Sequence, residues 1–307
     1  MPSLSSGKSL LPQGRRTMDI KAPWELPGLS GGLASYRYRF LAEGDSWFSI
    51  GELPPWATSN LLFELRQSSL KNDVIVNCAH QGDTLTHMVE MWHDANFTGL
   101  LDGPIQRPWD AILLSAGGND LIDASLVAGS EPSHKRLLLL PHERPAQPSL
   151  GSDYVSETGW QLFLSYLQAN IRTLIERRDH SASCAPQLGW KAPIFLHTYH
   201  QPTVRNAPAG PLGPWLYKAV THYQVPEPHW QLVGEELFGR LRSALLGVAS
   251  DSDRVYVFDS SGAVTLAAAV PGSTGASGDW QNEIHLTPQG YRKVATGLLA
   301  FIESHMP

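Results

Sequence analysis

The strongest constraint on this chain is a rhythm. Short apolar runs alternate with longer stretches of helical period. The runs are Tyr38 to Ala42 (YRFLA), Val74 to Cys78 (VIVNC), Ala111 to Leu114 (AILL), Ile194 to Leu196 (IFL) and Val255 to Phe258 (VYVF). Helical spacing follows over 58–68 (Leu61, Leu62, Leu65) and 84–92 (Leu85, Met88, Val89, Trp92). It returns over 154–178 (Phe163, Leu167, Ile171, Leu174), 230–246 and 288–302, the last with Thr287 as N-cap and Pro288 in its first turn. Apolar strands separated by helices predict a mainly parallel five-stranded sheet covered on both faces, an α/β three-layer sandwich. Such sheets bind ligands at the carboxyl ends of their strands, near a topological switch point.

Composition agrees with a single large domain over 36–307. Hydrophobic residues make up 42% of the 307 and charged residues 17%, enough for a sizeable core and too few charges for a disordered chain. A formal charge of −6 argues against nucleic acid as a partner. No stretch approaches the roughly 18–20 apolar residues that span a bilayer. Residues 1–35, rich in Ser, Gly, Pro and Leu, read as an irregular arm, and the start of the chain lacks the apolar core of a signal peptide, so a cytoplasmic location is expected, or a secreted one if a leader was removed or is non-standard. Cys78 reads as a small buried hydrophobe, and with Cys184 it is too little for a disulfide framework. Two segments break the alternation, 128–151 and 203–228, and read as rim loops around a site.

The residues with chemistry lie just after strands. Gly44-Asp45-Ser46-Trp47 follows the first run and sets a serine at the active edge of the sheet. His80-Gln81-Gly82-Asp83-Thr84 follows the second, where Gly82 offers an unobstructed N–H. Ala116-Gly117-Gly118-Asn119-Asp120 follows the third, and Asn119 presents an amide suited to a developing oxyanion. Asn282-Glu283-Ile284-His285-Leu286-Thr287-Pro288 precedes the last helix. His197-Thr198-Tyr199-His200 follows the fourth run, so Tyr199 and His200 are candidates for a substrate pocket. Trp47 and Trp280 flank the serine and histidine segments and are candidates for the same pocket. Each motif alone also reads as a turn or a helix cap.

Taken together, Ser, Gly, Asn and His in that order resemble the SGNH (GDSL-like) hydrolase family from Phe40 to about Ala300. GDSW resembles its first block, the Gly82 segment its second, GGND its third, and His285-Leu286-Thr287-Pro288 its fifth. The resemblance implies a flavodoxin-like α/β/α domain that hydrolyses carboxylic esters, without cofactor, on small-molecule, glycan or lipid substrates. By position it implies Ser46 as nucleophile and His285 as base. It implies an oxyanion hole from the N–H groups of Ser46 and Gly82 with the Asn119 amide.

One position departs from the family pattern. Three residues before the histidine stands Asn282 rather than Asp. In a serine-protease triad that exchange lowers turnover by about 10⁴ through the wrong histidine tautomer. Three residues are candidates for orienting His285: Asn282, through its side chain or backbone oxygen; Asp279, from the preceding loop; and Glu283. No His/Asp/Glu spacing of a metal motif such as His-Glu-x-x-His is present, so no metal is expected. Acyl transfer to an alcohol on the same machinery, or a non-catalytic binding module, are the competing readings.

Overall fold

A computed structural model describes residues 18–29, 32–49, 59–69 and 71–306. Its centre is a parallel sheet. The strands are β1 (Asp19–Lys21), β2 (Arg39–Gly44), β3 (Val74–Asn77) and β4 (Ala111–Ser115), then β7 (Ile194–His197) and β8 (Val255–Phe258). Between them β5 (Cys184–Ala185) and β6 (Trp190–Lys191) form a small antiparallel hairpin outside the sheet. The sheet order is β1-β3-β2-β4-β7-β8, and every pairing within it is parallel. Five strands were expected and six are present. The sixth, β1, comes from the stretch expected to be an irregular arm. Three residues with one apolar side chain give no period to read, and only pairing with Val74–Val76 makes them a strand. Of the rest of the expected arm, Pro23–Gly28 and Leu33–Ser35 form short 3-10 turns, and residues 1–17 and 30–31 lie outside the described residues.

Nine α-helices are described: α1 (Leu61–Ser68), α2 (Leu85–Val89), α3 (Ala95–Leu101), α4 (Gly118–Ser125), α5 (Glu157–Asp179), α6 (Leu216–His222), α7 (Trp230–Asp251), α8 (Ser260–Ala263) and α9 (Pro288–His305). Caps explain several boundaries. The first helix, expected over 58–68, starts at Leu61 because Asn60 Oδ1 accepts from Phe63 N at 2.8 Å. Thr287 Oγ1 accepts from Gly290 N and starts α9, with Pro288 in the first turn where no N–H is needed. The helix expected over 84–92 stops at Val89, and Trp92 is 96% exposed rather than packed. Asp94 instead caps a separate helix, α3, which its short length hid.

The core follows the strand pattern. Leu41, Ala42, Ile75, Val76 and Leu113 are almost wholly buried, as expected when both faces of a parallel sheet are covered. On one face α1 and α9 pack together, and Phe301 of α9 meets Phe195 of β7 and Phe258 of β8. Leu167 of α5 and Leu241 and Leu245 of α7 converge near Gly117. Both cysteines are free, Cys78 buried and Cys184 partly so. Among the described residues no helix is long and apolar enough to cross a membrane.

The strand order creates a switch point. The chain leaves β2 toward β3 on one side, then crosses to β4 on the other. The loops after β2 and β4 therefore diverge and leave a crevice at their carboxyl ends. Ser46 stands beyond β2 and Asn119 beyond β4.

Candidate active site

The turn that carries Ser46 is held from below. Asp45 is buried, and its Oδ1 accepts from Trp47 N at 2.9 Å and from Ser115 Oγ at 2.8 Å. The Tyr199 hydroxyl donates to Asp45 Oδ2 at 2.5 Å. Burial outweighs these donors and leaves the Asp45 carboxyl raised to about 6. Gly44 is required for close approach: a Cβ there would lie 2.7 Å from Ser115 Cβ. Ser46 thus projects from a rigid turn, only 7% exposed.

His285 reaches it from the loop before α9. Its Nε2 lies 2.7 Å from Ser46 Oγ, and its Nδ1 lies 3.0 Å from Asn282 Oδ1. The same Oδ1 accepts from the backbone N–H groups of Ile284 at 3.1 Å and His285 at 2.9 Å. Two backbone donors on one atom identify it as the amide oxygen. Nδ1 must then carry the ring proton, which leaves the Nε2 lone pair for the serine hydroxyl. Burial lowers the His285 pKa to about 4.

The other two candidates for orienting the histidine are engaged elsewhere. Asp279 Oδ2 accepts from Ala267 N and from Lys293 Nζ, each at 2.6 Å. Glu283 is fully buried and accepts from the backbone N–H groups of Arg205, Trp215 and Tyr217. Burial raises its carboxyl to about 7. Glu283 therefore anchors the 203–228 segment, which folds partly into α6 rather than remaining a loop. Arg205, also buried, donates through Nη2 to the Asn282 carbonyl at 2.6 Å. Trp215 stands edge-on to the His285 ring, with centroids 5.3 Å apart. Neither Arg205 nor Trp215 was singled out from the sequence. Their only signal was membership of a Pro-, Gly- and aromatic-rich segment.

On the opposite side, Asn119 Nδ2 donates to the Asp83 carbonyl at 3.0 Å. Its position rests on Gly118, where a Cβ would meet the Tyr199 ring at 2.8 Å. Among the described residues neither the Ser46 N–H nor the Gly82 N–H donates to another protein group. Ser46 and Asn119 line one cavity. Gly82 is exposed on its turn, with φ +74°, and does not line it.

That cavity measures about 20 Å³. Its walls include all four residues expected there, Trp47, Tyr199, His200 and Trp280. Trp47 has a second task. It is buried against His197, Tyr199 and Tyr291, and its Nε1 donates to the Ile284 carbonyl at 3.3 Å, joining the serine turn to the histidine loop. Phe238 and Ile122 add apolar wall. Burial holds His200 at about 4, so its ring is neutral near pH 7. No residue of 128–151 lines the cavity among those described. That segment packs on the 203–228 segment, where Arg144 Nη1 donates to the Gln224 carbonyl at 3.0 Å.

Solved structures give the frame a parallel. A possible lipase from Chitinophaga pinensis DSM 2588 superposes with a TM-score of 0.51 at 14% identity, over 87% of this chain and 98% of that one. The two chains share a fold. A carbohydrate acetylesterase family member from Sinorhizobium meliloti aligns at a TM-score of 0.49 and 14% identity, over 88% of this chain and 99% of that one. The native M. smegmatis aryl esterase aligns at a TM-score of 0.44 and 15% identity, over 87% of this chain and 99% of that one. No protein-family model and no curated protein sequence matches the chain.

Proposed function

We propose that the protein is a serine hydrolase that cleaves carboxylic esters through an acyl-enzyme on Ser46. The observation that carries this is the chain Ser46 Oγ, His285 Nε2, His285 Nδ1, Asn282 Oδ1, with successive contacts of 2.7 Å and 3.0 Å. Ser46 Oγ attacks the ester carbonyl while its proton passes to His285 Nε2. The oxyanion is met by the Ser46 N–H and the Asn119 amide, which both border the cavity. The imidazolium then protonates the leaving alcohol. Water adds to the acyl-enzyme as Nε2 takes its proton, and that proton returns to Oγ as the acid departs.

Cavity size favours a short acyl group over a long one, since about 20 Å³ is little more than the roughly 10–15 Å³ needed for one water. The shared fold with the possible lipase supports the general class. Turnover of p-nitrophenyl acetate against a long-chain p-nitrophenyl ester tests the reading. Release no greater than that of Ser46→Ala on either ester would overturn it. A fluorophosphonate adduct should map to Ser46 by mass spectrometry. Added alcohols should give free acid rather than a new ester, which separates hydrolysis from acyl transfer.

A further inference from the structure

Three acidic side chains that this reaction does not use converge beside the oxyanion side of the site. Glu43 lies on β2, Asp83 between β3 and α2, and Asp94 at the cap of α3. All three are buried, at 0%, 7% and 2% exposure. One ligand oxygen from each can be chosen so that all lie within 4.8 Å of one another. Some of their oxygens are already engaged. Glu43 Oε1 accepts from Gly44 N at 2.7 Å, Asp94 Oδ1 from Phe97 N at 2.9 Å, and Asp83 Oδ1 faces His87 Nδ1 at 3.1 Å. Glu43 Oε2 and Asp94 Oδ2 are buried with no hydrogen-bond partner, and the two carboxyl groups face each other. Among the described residues no Lys or Arg pairs with any of the three.

Among the described residues Glu43 and Asp94 have no positive partner, and a buried carboxylate without one is costly. An all-oxygen set of three carboxylates suits a hard divalent cation, whereas zinc prefers nitrogen and sulfur donors. We propose that Glu43, Asp83 and Asp94 bind a divalent cation of the calcium or magnesium class. Asp83 is the member nearest solvent, so coordinating water would enter on its side. Glu43 lies forty residues before Asp83, and Asp83 and Asp94 stand on separate elements, so no compact metal spacing appears in the chain. The cation would also have a reach beyond its ligands. The Asp83 carbonyl holds the Asn119 amide, and Glu43 directly precedes Gly44-Asp45-Ser46. Neutralising the cluster therefore fixes the turn that presents Asn119 against the strand that presents Ser46.

The site can be tested without reference to ester turnover. The full chain, dialysed against a chelator, is titrated with calcium chloride and separately with magnesium chloride by calorimetry, and its thermal unfolding is followed with and without each salt. The expected result is one equivalent bound by at least one of the two, with Kd within the range of about 10⁻⁷–10⁻³ M spanned by carboxylate sites. At a hundredfold excess over Kd the unfolding midpoint should rise by about 4 °C. Binding and the midpoint rise should both be lost in Glu43→Gln and in Asp94→Asn. Asp94→Asn keeps an N-cap side chain, so it decides the matter if Glu43→Gln does not fold. Absence of heat and of a midpoint shift with both salts would overturn the proposal. Undiminished affinity in both variants would do the same. So would a Glu43→Gln protein more stable than a cation-indifferent parent, because Glu43 and Asp94 would then simply share a proton.

Discussion

At the residue scale the unusual member of the site is Asn282. An amide opposite a catalytic histidine usually fails because its NH₂ end can face the ring and impose the wrong tautomer. Here the Ile284 and His285 N–H groups hold Oδ1 toward the ring, so the amide selects the same tautomer a carboxylate would. It brings no negative charge, and nothing counteracts the burial that lowers His285 to about 4. The sign follows. The neutral, proton-accepting ring persists as pH falls, until about 4. The acid limb of kcat/KM should therefore lie near pH 4, well below the ordinary histidine value of about 6.5. Asn282→Asp should move that limb upward, because a carboxylate favours imidazolium. Asn282→Leu should lower kcat by about 10²-fold or more, with the acid limb little changed. A pH–rate profile for the three proteins reads all of this. An acid limb near 6.5 in the parent would show that His285 is not held as described.

At the element scale the site depends on close packing at the start of α4. Gly118 leaves no room for a methyl group against Tyr199, and Tyr199 in turn donates to Asp45 beneath the serine. Gly118→Ala should cost about 1–3 kcal/mol of stability through overpacking. It should lower kcat more than the loss of stability explains, since Asn119 is the next residue. Denaturant unfolding and steady-state kinetics on the same preparation check both parts. The histidine loop depends on elements further off. Arg205 donates to the carbonyls of Ser273 and Asn282, and also to that of Gly275, so Arg205→Met strands buried acceptors. A loss of about 1–3 kcal/mol is expected, with kcat falling as Asn282 loosens.

At the scale of the whole molecule, buried titratable groups oppose one another in pH dependence. His197, His200 and His285 are each lowered to about 4 by burial, so the fold prefers them neutral. Their contribution is complete above about 6.5 and is lost as pH falls toward 4. Asp45 and Glu283 are raised to about 6 and about 7, so their contribution is lost as pH rises through that range. The two sets partly cancel, and variants separate them. His200→Gln removes one histidine, so its stability should fall less steeply than the parent's between pH 6.5 and 4. Urea unfolding across that interval measures the slope, and identical slopes would sink the assignment.

Ser46, Asn119 and His285 were legible because each directly follows or precedes a strongly patterned element, and sheets of this kind gather such positions at one edge. The apolar runs likewise determined the parallel sheet, since only strands buried on both faces need such continuous hydrophobicity. Other features depended on contacts between distant segments. β1 is a strand because β3 offers it an edge. Asn282 faces His285, and Asp279 does not, because Asp279 is drawn to Ala267 and Lys293. Trp215 meets the His285 ring because Glu283 pins its backbone. Glu43, Asp83 and Asp94 become neighbours only when β2, the β3–α2 turn and α3 are packed. Local pattern thus determined which residues stand at the active edge, because strand and helix periods are local properties. Only tertiary structure decided which of them touch, because buried hydrogen bonds and charges select partners across the chain.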